Sequence, residues 1–181
     1  MINRRQFLTT SSALILSSSP SLLMAGVNDP NENKKIKLYH QHTNEKINVT
    51  FWRNGWFDHS AFEEINHFFR DWHDDKTKQI DPYLIELLYN INESSGGGRE
   101  LVLLSGYRTP NTNEKLVNHP RYRAAKNSLH MFGRAVDFYI PKFKLSSTRS
   151  IARKISKGGV GYYPSKSFVH VDTGQVRYWT G

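Results

Sequence analysis

The sequence has 181 residues, which suits one domain with a single hydrophobic core, and its 38% hydrophobic and 23% charged residues argue against an intrinsically disordered chain. It contains no cysteine, which excludes disulfides, thiolate metal sites and cysteine nucleophiles and leaves eight histidines as the soft metal ligands. The net charge of +9 indicates an anionic partner, which could be nucleic acid, a membrane face or an acidic polymer.

The first residues have the composition of an export signal. Two adjacent arginines precede a moderately apolar, serine-rich stretch that contains no acidic residue. Their setting, N-R-R-Q-F-L, resembles a bacterial twin-arginine signal, and an ordinary secretory signal with an accidental arginine pair is the alternative. We predict a signal over residues 1–25, cleaved after Ala25, and a flexible polar lead-in over residues 26–35.

Export changes which anionic partner is expected. Removal of residues 1–25, which hold two arginines and no acid, lowers the net charge from +9 to +7. In a bacterial envelope the available anionic partners are peptidoglycan and lipid headgroups, so export disfavours nucleic acid. The signal is too short and too rich in serine to span a bilayer stably, and we expect no membrane span in the mature protein.

The mature chain begins with a predicted hairpin. Residues 36–40 and 46–52 alternate apolar and polar side chains on either side of a short polar connection. A helix is predicted over residues 60–72, because its apolar residues recur at helical spacing. Ser60 is the predicted N-cap, and Glu63 would complete a capping box.

The remaining predicted elements follow at short intervals. Pro82 suits the first position of a helix over residues 81–92, whose apolar residues form one stripe. Further strands are predicted at 100–104, 134–140 and 167–172, and shorter helices at 111–118 and 146–157. With no repeat or long linker, residues 36–181 form one predicted α+β domain, in which helices come first and pack on a central antiparallel sheet gathered towards the C-terminus.

Residues suited to metal binding occur in two short segments, S-L-H-M-F-G-R-A-V-D and F-V-H-V-D. A straight helix would separate His130 from Asp137 by about 10 Å along its axis, too far for one ion. Gly133 offers a turn, and pairing of the two strands would bring His130, Asp137 and His170 together. Two histidines and one carboxylate leave a fourth position for water, as in catalytic zinc sites. Taken singly, each residue has a structural alternative: a histidine bonded at a turn, or an aspartate that pairs within a strand.

Several motifs of the chain occur together as a set. S-G-Y-R (105–108), S-x-H-x(6)-D (128–137) and F-V-H-V-D (168–172) are accompanied by N-H-F-F-R-D, I-D-P and G-G-V-G-Y-Y-P. The set resembles the LAS group of zinc peptidases, which includes D-Ala-D-Ala carboxypeptidases, murein endopeptidases and the signalling domain of hedgehog proteins. It is most similar to the MepK-like branch of the murein endopeptidases, from about residue 36 to 179 and in the signal region.

The resemblance implies a LAS/hedgehog-like fold with a Zn²⁺ site. His130, Asp137 and His170 match the zinc ligands of the family, although this ligand set would also accept other divalent ions. Arg108 matches the arginine that binds the scissile carbonyl oxygen, where a fixed guanidinium would stabilise the developing oxyanion. A structural salt bridge is the alternative for Arg108.

Two neighbours of these residues are candidates for substrate binding. Tyr107 follows the strand that precedes Arg108, and Ser128 begins the turn that holds His130. The alternative is a core aromatic for Tyr107 and a cap of the His130 turn for Ser128.

The residue at the family's position for the general base differs in this chain. Many relatives have an acidic residue three positions before the last zinc histidine, where this chain has Ser167. We expect His170 to bind zinc and Asp172 to orient it or the attacking water. The alternatives are Asp172 as a ligand with His170 as the base, or His119 as the base.

Two further sets of residues have alternative interpretations. The first is an aromatic set that would either stack on sugar rings or fill the core: Phe51, Trp52, Trp56 and Phe57. The second is a basic set that would either form a solvated face or hold stem-peptide carboxylates: Arg121, Arg123, Lys126, Lys142 and Lys144.

The function implied by the resemblance is that of an exported zinc metallopeptidase of the periplasm, acting on the stem peptides of peptidoglycan. The expected targets are diaminopimelate–diaminopimelate cross-links, with D-Ala–diaminopimelate bonds as a second target. A carboxypeptidase on the same scaffold is an alternative. A catalytically silent zinc-containing module that binds the wall is another, and a basic lipid- or nucleic-acid-binding domain is the third.

Overall fold

The computed structural model of the protein describes residues 32–120 and 124–181. The predicted export signal, most of the predicted lead-in, and Arg121 and Arg123 therefore lie outside the described residues. The first strand begins at Lys34, so it includes the last two residues of the predicted lead-in.

The described chain contains strands at both ends and helices between them. The strands are β1 (Lys34–His40), β2 (Lys46–Arg53), β3 (Trp56–Phe57), β4 (Glu100–Ser105), β5 (Ala135–Tyr139), β6 (Gly159–Tyr163), β7 (Phe168–Asp172) and β8 (Arg177–Thr180). The helices are α1 (His59–Phe68), α2 (Pro82–Ser94), α3 (Pro110–Asn118) and α4 (Leu145–Ile155), with 3-10 turns at Leu129–Phe132 and Pro164–Lys166. The predicted α+β class is confirmed, but the prediction that helices come first is wrong.

All the strands belong to one mixed sheet of order β3-β2-β1-β4-β5-β7-β6-β8. The β1–β4 and β6–β8 pairs are parallel, whereas the other pairs are antiparallel. The prediction of an antiparallel sheet is therefore correct for the centre, where β4, β5 and β7 meet, and wrong for the sheet as a whole.

Helix α1 is shorter than the sequence predicts. Asp58, not Ser60, is the N-cap, because the Asp58 carboxylate accepts the Ala61 backbone N–H at 3.2 Å while the Ser60 hydroxyl donates to the same carboxylate. The helix ends at Phe68, and Trp72 lies beyond it, where its ring stacks with the rings of His42 and His73. An aspartate accepts N-cap hydrogen bonds as well as a serine does, so helix α1 begins after Asp58, the first capping residue in this part of the sequence.

The hydrophobic core lies between the sheet and its helices. Helix α1 packs on β2, α2 packs on β1, and α4 packs on β6 and β7. Three residues of the predicted aromatic set contribute to this core, since Phe51 is fully buried and Trp52 and Phe57 pack against it. Trp56 instead lies at the tip of a hairpin with 79% of its surface exposed.

The side chains of β5 point alternately to the hydrophobic core and to the opposite face of the sheet. Val136 and Phe138 belong to the core, so the side chain of Asp137 projects from the other face. On the paired strand β7, Val169 and Val171 are core residues and His170 lies on the face of Asp137. Among the described residues, no helix is both long enough and apolar enough to cross a bilayer.

Candidate metal centre

The register of two central strands creates the site. In the antiparallel β5–β7 ladder Asp137 stands opposite His170, and Ala135 stands opposite Asp172. Side chains directly opposite each other in such a ladder are close neighbours on one face. The predicted pairing of these strands is confirmed, and a shift of one residue would remove one of the two side chains from the site.

His130 reaches the same place from the 3-10 turn that precedes β5. Ser128 caps this turn by accepting the His130 backbone N–H, and Gly133 ends it in a left-handed conformation with φ of 66°. The His130 Nδ1 atom lies 2.7 Å from the backbone carbonyl oxygen of Gly106, at the end of β4. This hydrogen bond fixes the Nδ1–H tautomer and leaves Nε2 with a free lone pair.

Three donor atoms converge on one point. His170 Nδ1 lies 2.8 Å from Asp137 Oδ1, and His130 Nε2 lies 3.3 Å from Asp137 Oδ1 and 3.2 Å from His170 Nδ1. Donors bound to a tetrahedral ion at 2.0–2.2 Å lie about 3.3–3.6 Å apart. The shortest of the three distances, 2.8 Å, therefore needs to grow by about 0.5–0.8 Å, and the other two already lie close to that range. The residues present fit a divalent metal ion with an open fourth position.

A second layer of hydrogen bonds holds His170. Its Nε2 atom lies 3.0 Å from Asp172 Oδ2, so Nδ1 is the ring nitrogen that faces the cluster. Asp172 is fully buried and is held in turn by Arg177, at 2.7 and 3.1 Å, and by the backbone N–H groups of Gly159 and Gly174. A carboxylate on the far nitrogen of a metal-binding histidine orients the ring and raises its basicity.

Arg108 lies beside the carboxylate of the cluster. Its Nη2 donates to Asp137 Oδ2 at 2.9 Å, and its Nε donates to Ser105 Oγ at 2.9 Å. Because the guanidinium occupies Oδ2, Asp137 has Oδ1 available for an ion. The salt bridge considered for Arg108 from the sequence is present, and it places the arginine next to the candidate metal centre.

Burial and opposite charge set the protonation of the cluster. Burial, reinforced by the Arg108 guanidinium, lowers the pKa of His130 to about 4, so this ring is neutral near pH 7. Burial alone would raise the pKa of Asp137, but the two imidazoles hold it well below its usual value. Burial likewise opposes ionisation of His170, yet hydrogen bonds to Asp137 and Asp172 raise its pKa. His170 must therefore lose its Nδ1 proton to bind a metal.

The other candidate residues do not belong to this cluster. Tyr107 is half-buried and packs against the core, and burial followed by the charges of Asp71 and Asp74 raises its pKa. Ser128 is buried beneath His130 as the cap of its turn. His119 is exposed at the C-cap of α3.

The alternative in which Asp172 binds the metal is not supported by the geometry. The cluster of possible ligands comprises His130, Asp137 and His170, and Asp172 contacts the opposite side of the His170 ring. Ser167, at the position where many relatives have an acid, is exposed and follows the 3-10 turn in a left-handed conformation.

Sequence reasoning missed the contacts that hold the candidate ligands in place. Ser105 and Gly106 lie in the S-G-Y-R motif, but the motif does not show that they contact Arg108 and His130. Arg177 belongs to no motif, and its contact with Asp172 depends on the order of the sheet. A basic residue a few positions after H-x-D was the one available signal for Arg177.

Comparison with known proteins places the chain in a family. Residues 28–179 match the family model peptidase M15_2, described as peptidoglycan L,D-endopeptidase MepK. The chain is 38% identical to the peptidoglycan L,D-endopeptidase MepK of Escherichia coli K12, over 98% of this chain and 97% of the relative. It is 33% identical to the probable peptidoglycan L,D-endopeptidase MepK of Haemophilus influenzae Rd, over 99% of this chain and 96% of the relative.

No solved structure matches the chain with significance. The resemblance to the MepK-like branch is nevertheless confirmed by the family model and by relatives aligned over nearly the whole length. The chain belongs to the peptidase M15_2 family, that of the peptidoglycan L,D-endopeptidase MepK.

Proposed function

We propose that the protein is an exported, zinc-dependent murein endopeptidase that hydrolyses peptide cross-links of peptidoglycan. The observation that carries this proposal is the convergence of His130 Nε2, Asp137 Oδ1 and His170 Nδ1 in a chain of the MepK family. Two imidazoles and one carboxylate with an open fourth position form the ligand set of a hydrolytic zinc site.

The expected bond is the cross-link between two diaminopimelate residues. The relatives' names specify an L,D-endopeptidase, and a diaminopimelate–diaminopimelate cross-link joins an L-centre carbonyl to a D-centre amine. The D-Ala–diaminopimelate bond joins two D-centres, and we propose it as a second target only.

The side chains of the centre have separate tasks in this proposal. His130, Asp137 and His170 would hold the ion, which when bound supplies a Lewis acid that activates water and polarises a carbonyl. Arg108 has further N–H groups besides those that bind Asp137 and Ser105, and we assign them to the oxygen of the scissile carbonyl as it gains charge. Holding Arg108 by two hydrogen bonds pre-orients it for that task.

Asp172 acts in this proposal as a positioning residue for His170. Its two oxygens already accept from His170, Arg177 and two backbone N–H groups, and the side chain is fully buried. It therefore fixes the ring that binds the ion and does not take up the proton of the attacking water.

We propose export through the twin-arginine pathway into the periplasm on the basis of residues 1–25. The paired arginines followed by Phe7 and Leu8 match that signal. Replacement of both arginines by lysine is expected to leave the uncleaved chain in the cytoplasm, detected by fractionation. Unchanged export would point to an ordinary secretory signal.

Defined muropeptide dimers test the activity. The purified protein, loaded with zinc, is incubated with one diaminopimelate-linked and one D-Ala-linked dimer, and products are identified by mass. Conversion of a dimer to monomers establishes the endopeptidase and names the bond. The His130→Ala variant is the matched control, and it should convert neither dimer.

Two other outcomes would overturn the proposal. Release of terminal D-Ala without separation of the dimer would identify a carboxypeptidase. Zinc binding without any cleavage would identify a catalytically silent wall-binding module, which Ser167 in place of an acidic residue favours.

A further inference from the structure

The segment that carries Arg108 lies between a strand and a helix. Strand β4 ends at Ser105 and helix α3 begins at Pro110, so residues 106–109 lie outside both elements. Buried backbone N–H groups in such a connection need acceptors from other segments, because neither a ladder nor a helix supplies them. The acceptors that they find therefore determine where the backbone of Arg108 stands.

Two segments of the chain hold this backbone through carbonyl groups. The Tyr107 N–H donates to the Phe69 carbonyl oxygen at 2.7 Å, in the loop after α1. The Arg108 N–H donates to the His130 carbonyl oxygen at 3.2 Å, in the turn that carries the candidate metal ligand. Both acceptors are main-chain atoms, which a change of side chain does not remove.

A third acceptor is the side chain of Asp71, in the same loop after α1. Its Oδ2 accepts the Thr109 N–H at 2.7 Å in a buried hydrogen bond, and its Oδ1 accepts the His73 N–H at 3.0 Å. Asp71 is 1% exposed. Hydrogen bonds from backbone N–H groups to a carboxylate are shorter and stronger than those to a neutral acceptor. The side chain therefore ties the residue that follows Arg108 to the loop.

The loop that carries Asp71 is itself anchored. Asp71 and Lys76 pair as an isolated antiparallel bridge, with N–H···O distances of 2.9 and 3.3 Å. Arg70 joins the loop to the turn between β1 and β2 through both oxygens of Glu45, at 2.8 and 3.0 Å. The Asp71 carboxylate thus holds Thr109 against a segment that is fixed at several points.

The backbone of residues 106–109 sets the reach of the Arg108 guanidinium. The side chain is 11% exposed and donates to Ser105 Oγ and Asp137 Oδ2. A shift of its Cα atom would have to be absorbed by these two hydrogen bonds or by the N–H groups that remain for a substrate. The direction of those remaining groups therefore depends on the contacts of the backbone.

We propose that Asp71 is a positioning residue for Arg108, because through the Thr109 N–H it fixes the backbone from which the guanidinium reaches the scissile carbonyl oxygen. This inference rests on the proposed function, which assigns that oxygen to Arg108. Asp71 is the last residue of the N-H-F-F-R-D motif, to which the candidate metal centre gives no task. It does not belong to the group of possible metal ligands, so its loss should affect the reaction more than the binding of the ion.

Two substitutions of Asp71 test the contact. Asp71→Asn preserves the size of the side chain but turns an amide NH2 group towards one of the two N–H donors. Asp71→Ser can still accept the His73 N–H of its own loop, as serine does in such turns, but is too short to reach Thr109. The matched control is Asp75→Asn, which changes an exposed carboxylate of the same loop.

Both Asp71 variants should lower kcat for the diaminopimelate-linked dimer by about tenfold or more and change KM by less than about threefold. The reason is that a guanidinium contact with the developing oxyanion forms in the transition state. Zinc affinity, measured by chelator competition, and the kinetics of Asp75→Asn should stay within about twofold of the unsubstituted protein. Unchanged kcat in both folded Asp71 variants, or an equal loss in the control, would overturn the inference.

The Arg108→Lys background separates positioning from a general structural role. If Asp71 acts through the guanidinium, Asp71→Asn should cost less than about twofold in kcat once the guanidinium is absent. A loss as large as in the unsubstituted protein would show that Asp71 acts by another route, and would contradict the proposal.

Exchange of the Arg108 Nε–H with solvent provides a readout that does not depend on turnover. This proton is bonded to Ser105 Oγ, and its NMR signal is identified by its absence from Arg108→Lys. It should exchange about fivefold faster or more in both Asp71 variants and at the unchanged rate in Asp75→Asn. Lost kcat without faster exchange would count against positioning. Faster exchange in a protein that cleaves neither dimer would overturn the proposed function and leave the hold of Asp71 on Arg108 standing.

Discussion

Asp172 illustrates how single side chains of this protein act through their neighbours. It lies on the far nitrogen of His170 and accepts two hydrogen bonds from Arg177. Its pKa is held well below the usual value, since the bonds from His170, Arg177 and the Gly174 N–H outweigh the effect of burial. In the proposed metal site it is therefore the anion that aligns the ring of His170.

Replacement of Asp172 by asparagine should weaken zinc binding. The amide can still accept from the His170 ring but lacks the charge, and loss of such an outer partner typically reduces metal affinity about 10–100-fold. Competition with a chromogenic chelator measures the affinity, and saturating zinc should restore part of the activity. Asp75→Asn, which changes an exposed carboxylate, is the matched control. Unchanged affinity with lost activity at saturating zinc would instead place Asp172 on the attacking water.

His40 makes the stability of the fold sensitive to acid. It is 1% exposed, and its Nδ1 accepts the backbone N–H groups of His42 and Thr43 at 3.2 Å. Burial, followed by the charge of His42, lowers its pKa from 6.5 to about 4. The unfolded chain therefore binds a proton more readily, and the stabilisation by neutral His40 is complete above pH 6.5 and is lost as the pH falls towards 4.

The His40→Asn variant should lose less stability in acid. The asparagine oxygen can accept the same two N–H groups but does not titrate, so the difference between pH 7.5 and pH 4.5 in unfolding free energy should shrink by roughly 1–2 kcal/mol. Urea denaturation at both pH values in a chelator provides the measurement. His59→Asn, at an exposed histidine, should leave the difference unchanged. If the His40→Asn variant loses as much unfolding free energy between pH 7.5 and pH 4.5 as the unsubstituted protein does, the acid sensitivity comes from other groups.

The clustering of the three candidate ligands could be predicted because residue type and the alternation of side chains along a strand are local properties. Asp137 and His170 each lie on a strand whose side chains alternate between two faces, and one pairing of these strands brings them together with His130. The role of Asp172 does not follow from the sequence in the same way. Side chains two residues apart on a strand share a face, but which of them contacts a given ring nitrogen depends on their rotamers.

The end of β4 is the element that fixes His130 from the side. Gly106 directs its carbonyl to the His130 Nδ1, and a Cβ added there would lie 2.6 Å from the Phe69 carbonyl oxygen. That oxygen is itself held at 2.7 Å by the Tyr107 backbone N–H, so it cannot move away freely. Only glycine allows the strand end to approach the loop after α1 so closely.

Substitution of Gly106 by alanine should therefore affect both stability and the site. The displaced strand end is expected to cost about 1–3 kcal/mol of unfolding free energy and to weaken zinc binding, because the Gly106 carbonyl moves from His130. Chelator competition and urea denaturation provide the two readouts. Gly98→Ala is the control, since a Cβ there meets no atom within 4 Å and only its φ of 62° opposes the change. Equal zinc affinity in both variants would contradict the argument.

Elements with a strong local pattern were predicted within a few residues. Helix α2 starts at Pro82 after the Asp81 cap and has an apolar stripe, and strand β4 is a short apolar run. Both patterns can be recognised in the sequence without knowledge of the tertiary structure. Strands β6 and β8 were missed because one contains two glycines and the other only four residues, so neither has a periodic signal. Their pairing with each other and with β7 makes them strands.

The order of the sheet is a property of the whole molecule. Strand β1 pairs in parallel with β4, although two strands and two helices lie between them in the chain. Strand β6 likewise pairs in parallel with β8. A local sequence pattern does not predict such a pairing. The spacing of apolar residues in an edge strand or a parallel strand depends on which faces of that strand are covered by other elements in the folded protein. The order nevertheless places β5 and β7, which carry two of the candidate ligands, inside the sheet with a paired strand on each side.

Zinc should stabilise the fold as a whole, because its ligands come from three segments that meet only in the folded chain. At free zinc about 100 times the Kd, linkage adds roughly 2.7 kcal/mol, which for a chain of this size raises the Tm by roughly 5–10 °C. Calorimetry with and without zinc measures the shift. The His130→Ala variant should lose it, whereas His59→Ala, which removes an exposed histidine, should retain it. A full shift in the His130 variant would mean that the stabilising ion binds elsewhere, and the metal centre of β5 and β7 would no longer account for it.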